Sequence, residues 1–413
     1  MNTNTLTPRI NLPDNAPPAA RTVFKLLGHL RHGSLDVQLP DGASMHFGAK
    51  PGQHAETHAT RAAFRIRDWA VCTATLRSGD IGFAESYMAG HWSSPDLRAL
   101  LELFIRNREV LDEVIFGSWW GSALHRLRHL FNRNSRAGSR KNIHAHYDIG
   151  NDFYKLWLDP SMNYSSAWFD GQAQGSLTEA QTAKMTRALR ECGVSENDRV
   201  LELGCGWGAV AECATRDFGA HLTGVTLSHE QLAWAQQRLQ QAGLAERADL
   251  RLQDYRDIAD PAFDAIVSIE MFEAVGREYW DGYFKTVHDK LKPGGRACIQ
   301  TITIRDDLFE RYSRSSDFIQ QYIFPGGMLP SPSQFRAHAA KAGLRISNEL
   351  AFGQDYAQTL HLWREAFLRH ETQVREQGFD TRFVRLWEFY LAYCEAAFAA
   401  GNTDVMQFTL QRD

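Results

Sequence analysis

Gly204, Gly206 and Gly208 stand two apart at the end of a short apolar run, in the stretch "RVLELGCGWGAVAE" from Arg199 to Glu212. A helical pattern comes next, so the run reads as a strand that turns sharply into a helix. Glycine keeps such a turn tight and lets a ligand approach the backbone. The spacing also satisfies the dinucleotide pattern G-x-G-x-x-[GA], through Gly204, Gly206 and Ala209, so the turn alone leaves the ligand open. Charge separates the candidates. Glu202 lies two residues before the first glycine, near the strand's C-terminal end, where sheets of this kind bind ligands. A carboxylate suits a cation better than a pyrophosphate. Roughly 20 residues past the glycines, where a nicotinamide site wants an acid for the ribose, stands Thr226 in "GVTLS". No Walker lysine comes after the loop. S-adenosylmethionine, with a sulfonium, an ammonium and no phosphate, fits these residues better than a dinucleotide. The next strand end, "LQDYRD", offers Asp254 as acceptor for an adenine amino group, with Gln253 and Tyr255 shaping the slot; a plain polar turn is the other reading.

These residues must be positioned by strands and helices, and the pattern from 142 to about 300 alternates between the two. Strand candidates are 199–204, 221–227, 249–254, 264–270 and 296–304, with "KPGG" at 292–295 read as a turn before the last. That order predicts an α/β fold, a Rossmann-like class I methyltransferase sheet of parallel strands with helices on both faces. After 330 the chain reads as mainly helical, and Trp363, Phe367, Phe383, Trp387, Tyr390 and Tyr393 read as core. Residues 20–115 read as a small mixed α+β domain: a helix in "RTVFKLLGHL", two strands around Pro40-Asp41-Gly42, a third in "AFRIRDW", and an amphipathic helix "DLRALLELFIRNREV" capped near Ser94 or Asp96. The domains expected are thus a flexible lead-in (1–19), the N-terminal domain, a basic linker (116–141) and a methyltransferase domain with helical additions (142–413).

Composition narrows the class. The 413 residues carry a net charge of −4, and no apolar run approaches the ~18 residues that suggest a membrane span. The six cysteines include no C-x-x-C pair, which points to reduced thiols and no structural metal. His144 and His146 lack a third ligand at suitable spacing and read as hydrogen-bonding groups. One stretch is strongly biased. Between Glu113 and Asp148 there is no acid, while Arg126, Arg128, Arg133, Arg136, Arg140 and Lys141 stand among Trp119, Trp120 and Phe131. It is either a solvated tether or a surface for anionic phospholipid headgroups, where each basic residue contributes roughly 1 kcal/mol. The overall acidity argues against nucleic acid.

From 142 onward the chain resembles the cyclopropane-fatty-acyl-phospholipid synthase family. The stretches that carry the resemblance are "HYDIGNDFYKLWLD" (146–159), "YSSAWF" (164–169), "VLELGCGWG" (200–208), "GVTLSHEQ" (224–231), "LQDYRD" (252–257), "MFEAVG" (271–276), "YIFPGGMLPS" (322–331) and "FGQDYAQTL" (352–360). The resemblance implies transfer of the methyl of S-adenosylmethionine to a cis double bond in a phospholipid acyl chain. It implies a cofactor pocket lined by Tyr164, Ser165, Gly204, Gly206, Thr226, Leu227, Gln231, Gln253 and Asp254, with Cys205 contributing its backbone. It implies a bicarbonate base held by Ser166, Glu273, Gln300, the backbone at Ile302, and Tyr356. It further implies a lipid- or dimer-associated N-terminal domain, and a cytoplasmic protein at the inner face of the membrane, with a homodimer as one assembly.

The sequence departs from the family pattern at the bicarbonate ligands. Ser166 stands for a usual cysteine, Gln300 and Ala274 for usual histidines, and Glu270 for a usual glycine. Methyl transfer to an alkene leaves a cation on the acyl chain. Carboxylates and aromatic faces stabilise it, the candidates being Glu273, Tyr356, Trp168, Tyr322 and Phe324. Proton loss from the new methyl closes a cyclopropane; loss from a neighbouring chain carbon gives a methylated alkene; hydride from a reductase partner gives a saturated branch. Gln300 cannot carry a proton as histidine can. Glu270 adds a charge that opposes an anion. Two outcomes stay open: ordinary cyclopropanation with bicarbonate, or a weakened bicarbonate site with Glu270 or Glu273 as the base and a methylated alkene or branched product. Rival readings are a methyltransferase for a small soluble substrate or RNA, and a non-catalytic lipid-binding subunit. Replacing the six basic linker residues with glutamine is expected to weaken co-sedimentation with anionic liposomes, more at low salt than at high. Unchanged binding would reduce the linker to a tether.

Overall fold

A computed structural model describes residues 12–48, 60–115, 149–172 and 175–413. The basic linker, with Arg126, Arg128, Arg133, Arg136, Arg140 and Lys141, and His144 and His146 lie outside the described residues.

The N-terminal unit runs α1 (Pro18–Leu27), β1 (Ser34–Gln38), β2 (Ser44–Gly48), β3 (Arg61–Ile66), α2 (Ala70–Met88), β4 (Trp92–Ser93), α3 (Leu97–Arg106) and α4 (Arg108–Ile115). The expected hairpin and third strand are present, and β3 pairs parallel to β1. Asp96 is the cap, accepting from Ala99 N–H at 2.9 Å. The expected single helix 96–110 is instead two. Asn107 breaks it because its buried side chain serves four backbone groups: Oδ1 accepts from Arg31 and His32 N–H (2.7 and 3.0 Å), and Nδ2 donates to His32 and Leu103 carbonyls (both 2.8 Å).

The second unit runs α5 (Asn151–Tyr154), α6 (Leu177–Glu191), β5 (Arg199–Leu203), α7 (Ala209–Asp217), β6 (His221–Thr226), α8 (His229–Gln241), β7 (Ala248–Leu252), β8 (Phe263–Ile269), α9 (Trp280–Lys290), β9 (Leu291–Ile304), α10 (Asp306–Tyr312), α11 (Phe318–Tyr322), α12 (Pro332–Lys341), β10 (Leu344–Ala351), α13 (Gly353–Arg369), α14 (Glu371–Glu376), α15 (Thr381–Ala399) and β11 (Thr403–Arg412). Among the described residues the strands form one seven-stranded sheet in the order β10-β11-β9-β8-β5-β6-β7. The five expected strands are there and run parallel. The all-parallel expectation is corrected at one edge, where β11 runs antiparallel to β9 and β10 antiparallel to β11. The "KPGG" segment is also corrected: it lies inside β9, and the register slips there against β8.

Side chains alternate between two cores. Leu201, Leu203, Ile266 and Ile299 face one side with α9 and α12 residues such as Trp280 and Phe335, while Val200, Ala265, Val267 and Cys298 face the other with Ala188, Val210 and Ala235 of α6, α7 and α8. The sheet order turns at β5, whose neighbours are β6 and β8. A crevice at the strand C-termini is expected there.

The N-terminal unit shares a core with the helical additions: Phe83, Trp92 and Leu100 pack in one cluster with Phe318, Trp363, Trp387 and Phe389. The expected core aromatics hold, with Phe383 and Tyr393 half-buried at its edge. Polar contacts cross the seam. Asp80 of α2 accepts from the Phe318 N–H at 3.1 Å and the Tyr393 hydroxyl at 3.0 Å. Asp317 caps α11 by accepting from Gln320 N–H at 2.8 Å. Burial, then the charge of Asp80, pushes Asp317 up to about 7. The folded state therefore holds a proton there that the unfolded chain has released, and stability falls as pH rises from about 4 through 7. Asp317→Asn keeps the capping oxygen and is expected to raise the melting temperature at pH 8 relative to the parent while changing it little at pH 5.

Candidate active site

A cavity of about 960 Å³ opens at the C-terminal ends of β5, β6 and β8, where the sheet order turns. Tyr164, Ser165, Glu202, Gly204, Cys205 and Gly206 line it, as do Thr226, Leu227, Gln231, Gln253, Asp254 and Tyr255. Every residue expected to hold the cofactor is thus brought to one cavity. The glycine turn explains itself. Gly208 has φ +82, and a Cβ there would meet Ala235 Cβ at 2.8 Å, so α7 and α8 pack only around a glycine. Gly206, at φ +48, has nothing within 4 Å of where a Cβ would point, which leaves its backbone open to a ligand. The slot is stiffened by hydrogen bonds. Thr226 Oγ1 donates to Gln231 Oε1 at 3.0 Å, Gln253 Nε2 to the Asp257 carbonyl at 2.8 Å, and Arg256 holds both oxygens of Asp254 (2.8 and 2.6 Å). The Cys205 thiol is buried, which pushes its pKa well up and makes it no nucleophile.

Glu202 is 2% exposed, and its Oε2 has no partner among the described residues. Burial pushes it up to about 8. A buried acceptor with nothing to accept from calls for a donor or a cation. S-adenosylmethionine supplies both, so the donor set fits that ligand.

The second half of the site is built around Glu270, at the end of β8. Its backbone is left-handed, φ +49, a conformation that costs a non-glycine residue about 1–2 kcal/mol. That is why glycine suits this position, and why a glutamate here points to function over packing. The left-handed turn aims the carboxylate inward. Oε1 accepts from the Ser166 N–H and from Gln300 Nε2, each at 2.8 Å, and Oε2 accepts from the Tyr356 hydroxyl at 2.7 Å. Glu273 lies beside it. Its Oε1 accepts from the Ile302 N–H and from Thr301 Oγ1, the latter at 3.0 Å, while Oε2 has no partner among the described residues. Burial, then the charge of Glu270, pushes Glu273 up to about 8. Burial also raises Glu270, but the Lys184 ammonium and three hydrogen bonds oppose the rise. With donors on both of its oxygens, where Glu273 has one bare, Glu270 is the member of the pair built to carry the negative charge.

The donors that the resemblance allots to bicarbonate are the Ser166 N–H, Gln300, the Ile302 N–H and Tyr356. Each already serves a carboxylate oxygen of the chain itself. A further anion would stand next to an ionised glutamate with no donor to itself. These residues do not fit bicarbonate.

Several expected roles are corrected. Ser166 and Gln300 are fully buried behind Glu270 and do not face the cavity; the Ser166 hydroxyl donates to the Ala167 carbonyl at 2.9 Å. Trp168 faces a separate small cavity with Asp355, under the Arg187 guanidinium at 5.8 Å, so it cannot stabilise a cation in the main one. Tyr322 is turned away, its hydroxyl donating to Glu85 at 2.5 Å. Phe324 and Tyr356 do line the cavity. Trp207 also lines it and donates to Asn151 Oδ1 at 2.7 Å. Sequence reasoning missed three supporting residues. Gln407 of β11 donates to Gln300 Oε1 at 3.0 Å, which turns the Gln300 amide nitrogen toward Glu270, and Arg187 donates to Gln407 Oε1 at 2.5 Å. Lys184 of α6 is fully buried and donates to Ser165 Oγ at 2.6 Å. Its one signal is a lysine on the same helix face as Ala180, Gln181 and Ala188.

A family model described as mycolic acid cyclopropane synthetase matches residues 134–408. The chain belongs to that family. The tuberculostearic acid methyltransferase of Mycobacterium tuberculosis is 41% identical over 347 residues, 82% of this chain and 80% of the relative. The cyclopropane-fatty-acyl-phospholipid synthase of Escherichia coli is 34% identical over 339 residues, 82% and 84% of the two chains. The crystal structure of the mycolic acid cyclopropane synthase CmaA1 with SAH and CTAB aligns at a TM-score of 0.63 and 33% identity, covering 66% of this chain and 98% of that one. The sheet and its helices are those of the class I S-adenosylmethionine-dependent methyltransferases, and the chain is a methyltransferase of the cyclopropane-synthase type. No helix among the described residues is long and apolar enough to cross a membrane. Glu202→Gln keeps the shape of the pocket and removes its charge. It is expected to weaken S-adenosylmethionine binding by about 10- to 100-fold in calorimetry, the worth of a hydrogen bond to a charged group. Unchanged affinity would separate Glu202 from the ligand.

Proposed function

We propose that the chain methylates a cis double bond of an unsaturated fatty acyl chain in a membrane phospholipid and releases a methylated alkene, with Glu270 as the base. The observation that supports this reading is the Glu270 carboxylate seated on the Ser166, Gln300 and Tyr356 donors, in the place the family resemblance gives to bicarbonate.

S-adenosylmethionine, held between Glu202, the glycine turn, Gln231 and Asp254, supplies an electrophilic methyl group there. The chain's own residues govern the fate of the lipid. The alkene pair would form the new C–C bond as the methyl–sulfur bond breaks and its electrons leave with the thioether product, and the adjacent chain carbon is left electron-deficient. Glu270 meets that charge with a fixed, desolvated carboxylate, and the Tyr356 ring and Phe324 offer aromatic faces. Glu270 then accepts one proton, and the C–H electrons close the new double bond. A carboxylate fixed on the protein reaches one region of the acyl chain, so its place decides which proton leaves. Glu273, pushed up to about 8, is the protonated member of the pair at neutral pH and adds no second charge. The similarity to the tuberculostearic acid methyltransferase supports a methylated over a cyclopropane product. A saturated branch would then need a hydride from a separate reductase. In this reading the protein works on the cytoplasmic side of an anionic membrane surface, held there by its basic linker, as a monomer or a homodimer.

Mass spectrometry and NMR of the lipid formed from monounsaturated phospholipid vesicles test the proposal. A methylated alkene is expected, at a rate that does not change when bicarbonate is stripped from the buffer. Glu270→Gln is expected to lose about 10²-fold or more in turnover while binding S-adenosylmethionine normally. A cyclopropane product at full rate, or a bicarbonate requirement, would overturn the assignment.

A further inference from the structure

Lys184 does not itself line the cavity but stands behind Ser165, which does, and it is 0% exposed. An ammonium is expensive to bury unless an anion faces it. Its hydrogen bond goes to a neutral group, Ser165 Oγ at 2.6 Å. One turn earlier on α6, the fully buried Gln181 donates to the Ser165 carbonyl at 2.9 Å. Two side chains of one helix thus grip Ser165, and the next N–H along the chain, that of Ser166, is the one that holds Glu270 Oε1 at 2.8 Å. Gln407 ties the same helix to the other side of Glu270: its amide donates to the Lys184 carbonyl at 3.2 Å and to Gln300 Oε1 at 3.0 Å.

We propose that Lys184 is the positioning residue that keeps Glu270 ionised and aimed, acting through the Ser165–Ser166 segment and through its own charge, with the acyl-chain base as its beneficiary. The inference rests on Glu270 being that base. The charged and titratable groups around the pair are few. Glu270 faces Lys184, Glu273 and the Tyr356 hydroxyl; Lys184 faces Glu270 and Asp159. Asp159 is already engaged by the Ser161 N–H and hydroxyl at 3.1 and 2.8 Å. Burial lowers Lys184 to about 8 against the opposing pull of both acids, so it is cationic at neutral pH and below. Lys184 is the foremost group that opposes the effect of burial on Glu270. Glu273 works in the opposite sense, since any charge it carries repels Glu270. Without Lys184 the neutral donors on Glu270 would remain but its countercharge would be gone, and Glu270 would bind a proton at a higher pH.

The test is the pH dependence of turnover in the full-length chain, assayed on vesicles of an anionic monounsaturated phospholipid. In Lys184→Met the acid limb of kcat is expected to move up by about one unit or more, the effect of removing a nearby opposite charge. The loss is then greatest, up to about tenfold, on the acid side of that limb and shrinks as pH rises above it. A merely structural lysine would lower kcat equally at all pH values, and that result, or an unmoved limb, would overturn the proposal. If Lys184→Met does not fold, the double variant Lys184→Met/Glu270→Gln is expected to recover folded, S-adenosylmethionine-binding protein, because both charges leave together. Failure of the double variant to do so would equally overturn it. The outcome is separable from that of the base assignment. Full turnover by Glu270→Gln alone would end Glu270's role as base, whereas the charge coupling is read from folding and ligand binding.

Discussion

A carboxylate taken out of water must be met by donors or cations, or it takes up a proton. At Glu270 that constraint is answered by three hydrogen bonds drawn from three separate elements. Its three hydrogen bonds come from the segment before α6, from β9 and from α13, and its countercharge from α6. These elements are spread along the chain from residue 166 to residue 356. The site therefore exists only when the sheet, the helix that covers it and the C-terminal helical addition are all in place. The left-handed backbone at Glu270 is held against its local preference by these contacts.

The antiparallel edge of the sheet has the same logic. β11 brings Gln407 against Gln300, and the Gln407 oxygen is in turn held by Arg187. An amide can present either end to a neighbour. This chain of contacts leaves the Gln300 nitrogen as the end that faces Glu270. A histidine at 300 would carry a proton; a glutamine so fixed gives only a hydrogen bond, which a permanent carboxylate needs and a proton relay does not. The departures at 166, 270 and 300 are thus one coupled change. Introducing the glutamate fills the anion site, and the residues around it become its supports.

What was legible in the sequence was local. The glycine turn and Glu202 lie within seven residues, and their chemistry comes from spacing and charge alone. Glu270 stood out because a charge replaced a residue that needs none. The five parallel strands were visible as apolar runs. β10 and β11 were not, because the buried polar residues Gln407 and Thr409 interrupt the apolar pattern of β11 and the neighbouring aromatics keep helical spacing. Residue type also failed to give direction. Trp168 and Tyr322 sit in the right motifs, but one packs under Arg187 and the other hydrogen-bonds across the domain seam to Glu85. Lys184 and Gln407 support Glu270 through intermediaries. Ser166 lies 104 residues from Glu270 and Gln407 lies 107 from Gln300, separations that no local pattern bridges.

Glu202, Glu270 and Glu273 stand in the cavity wall, and the reaction presents two cations in succession, one on the ligand and one on the lipid. Glu202 and Glu273 are each pushed up to about 8, so neither is fully ionised at neutral pH without a cation beside it. A cationic ligand at the glycine turn lowers the pKa of Glu202 and so charges the wall that holds it. Glu270 differs, because the donors on both of its oxygens belong to the chain itself and do not wait for a ligand. The pocket thus separates an acid that responds to the methyl donor from one that is ready before the lipid cation forms. A preformed charge costs no reorganisation at the moment of reaction, which makes it the more effective stabiliser of a short-lived cation. That difference, fixed by which acid has a buried ammonium behind it, is what assigns the two carboxylates their separate parts.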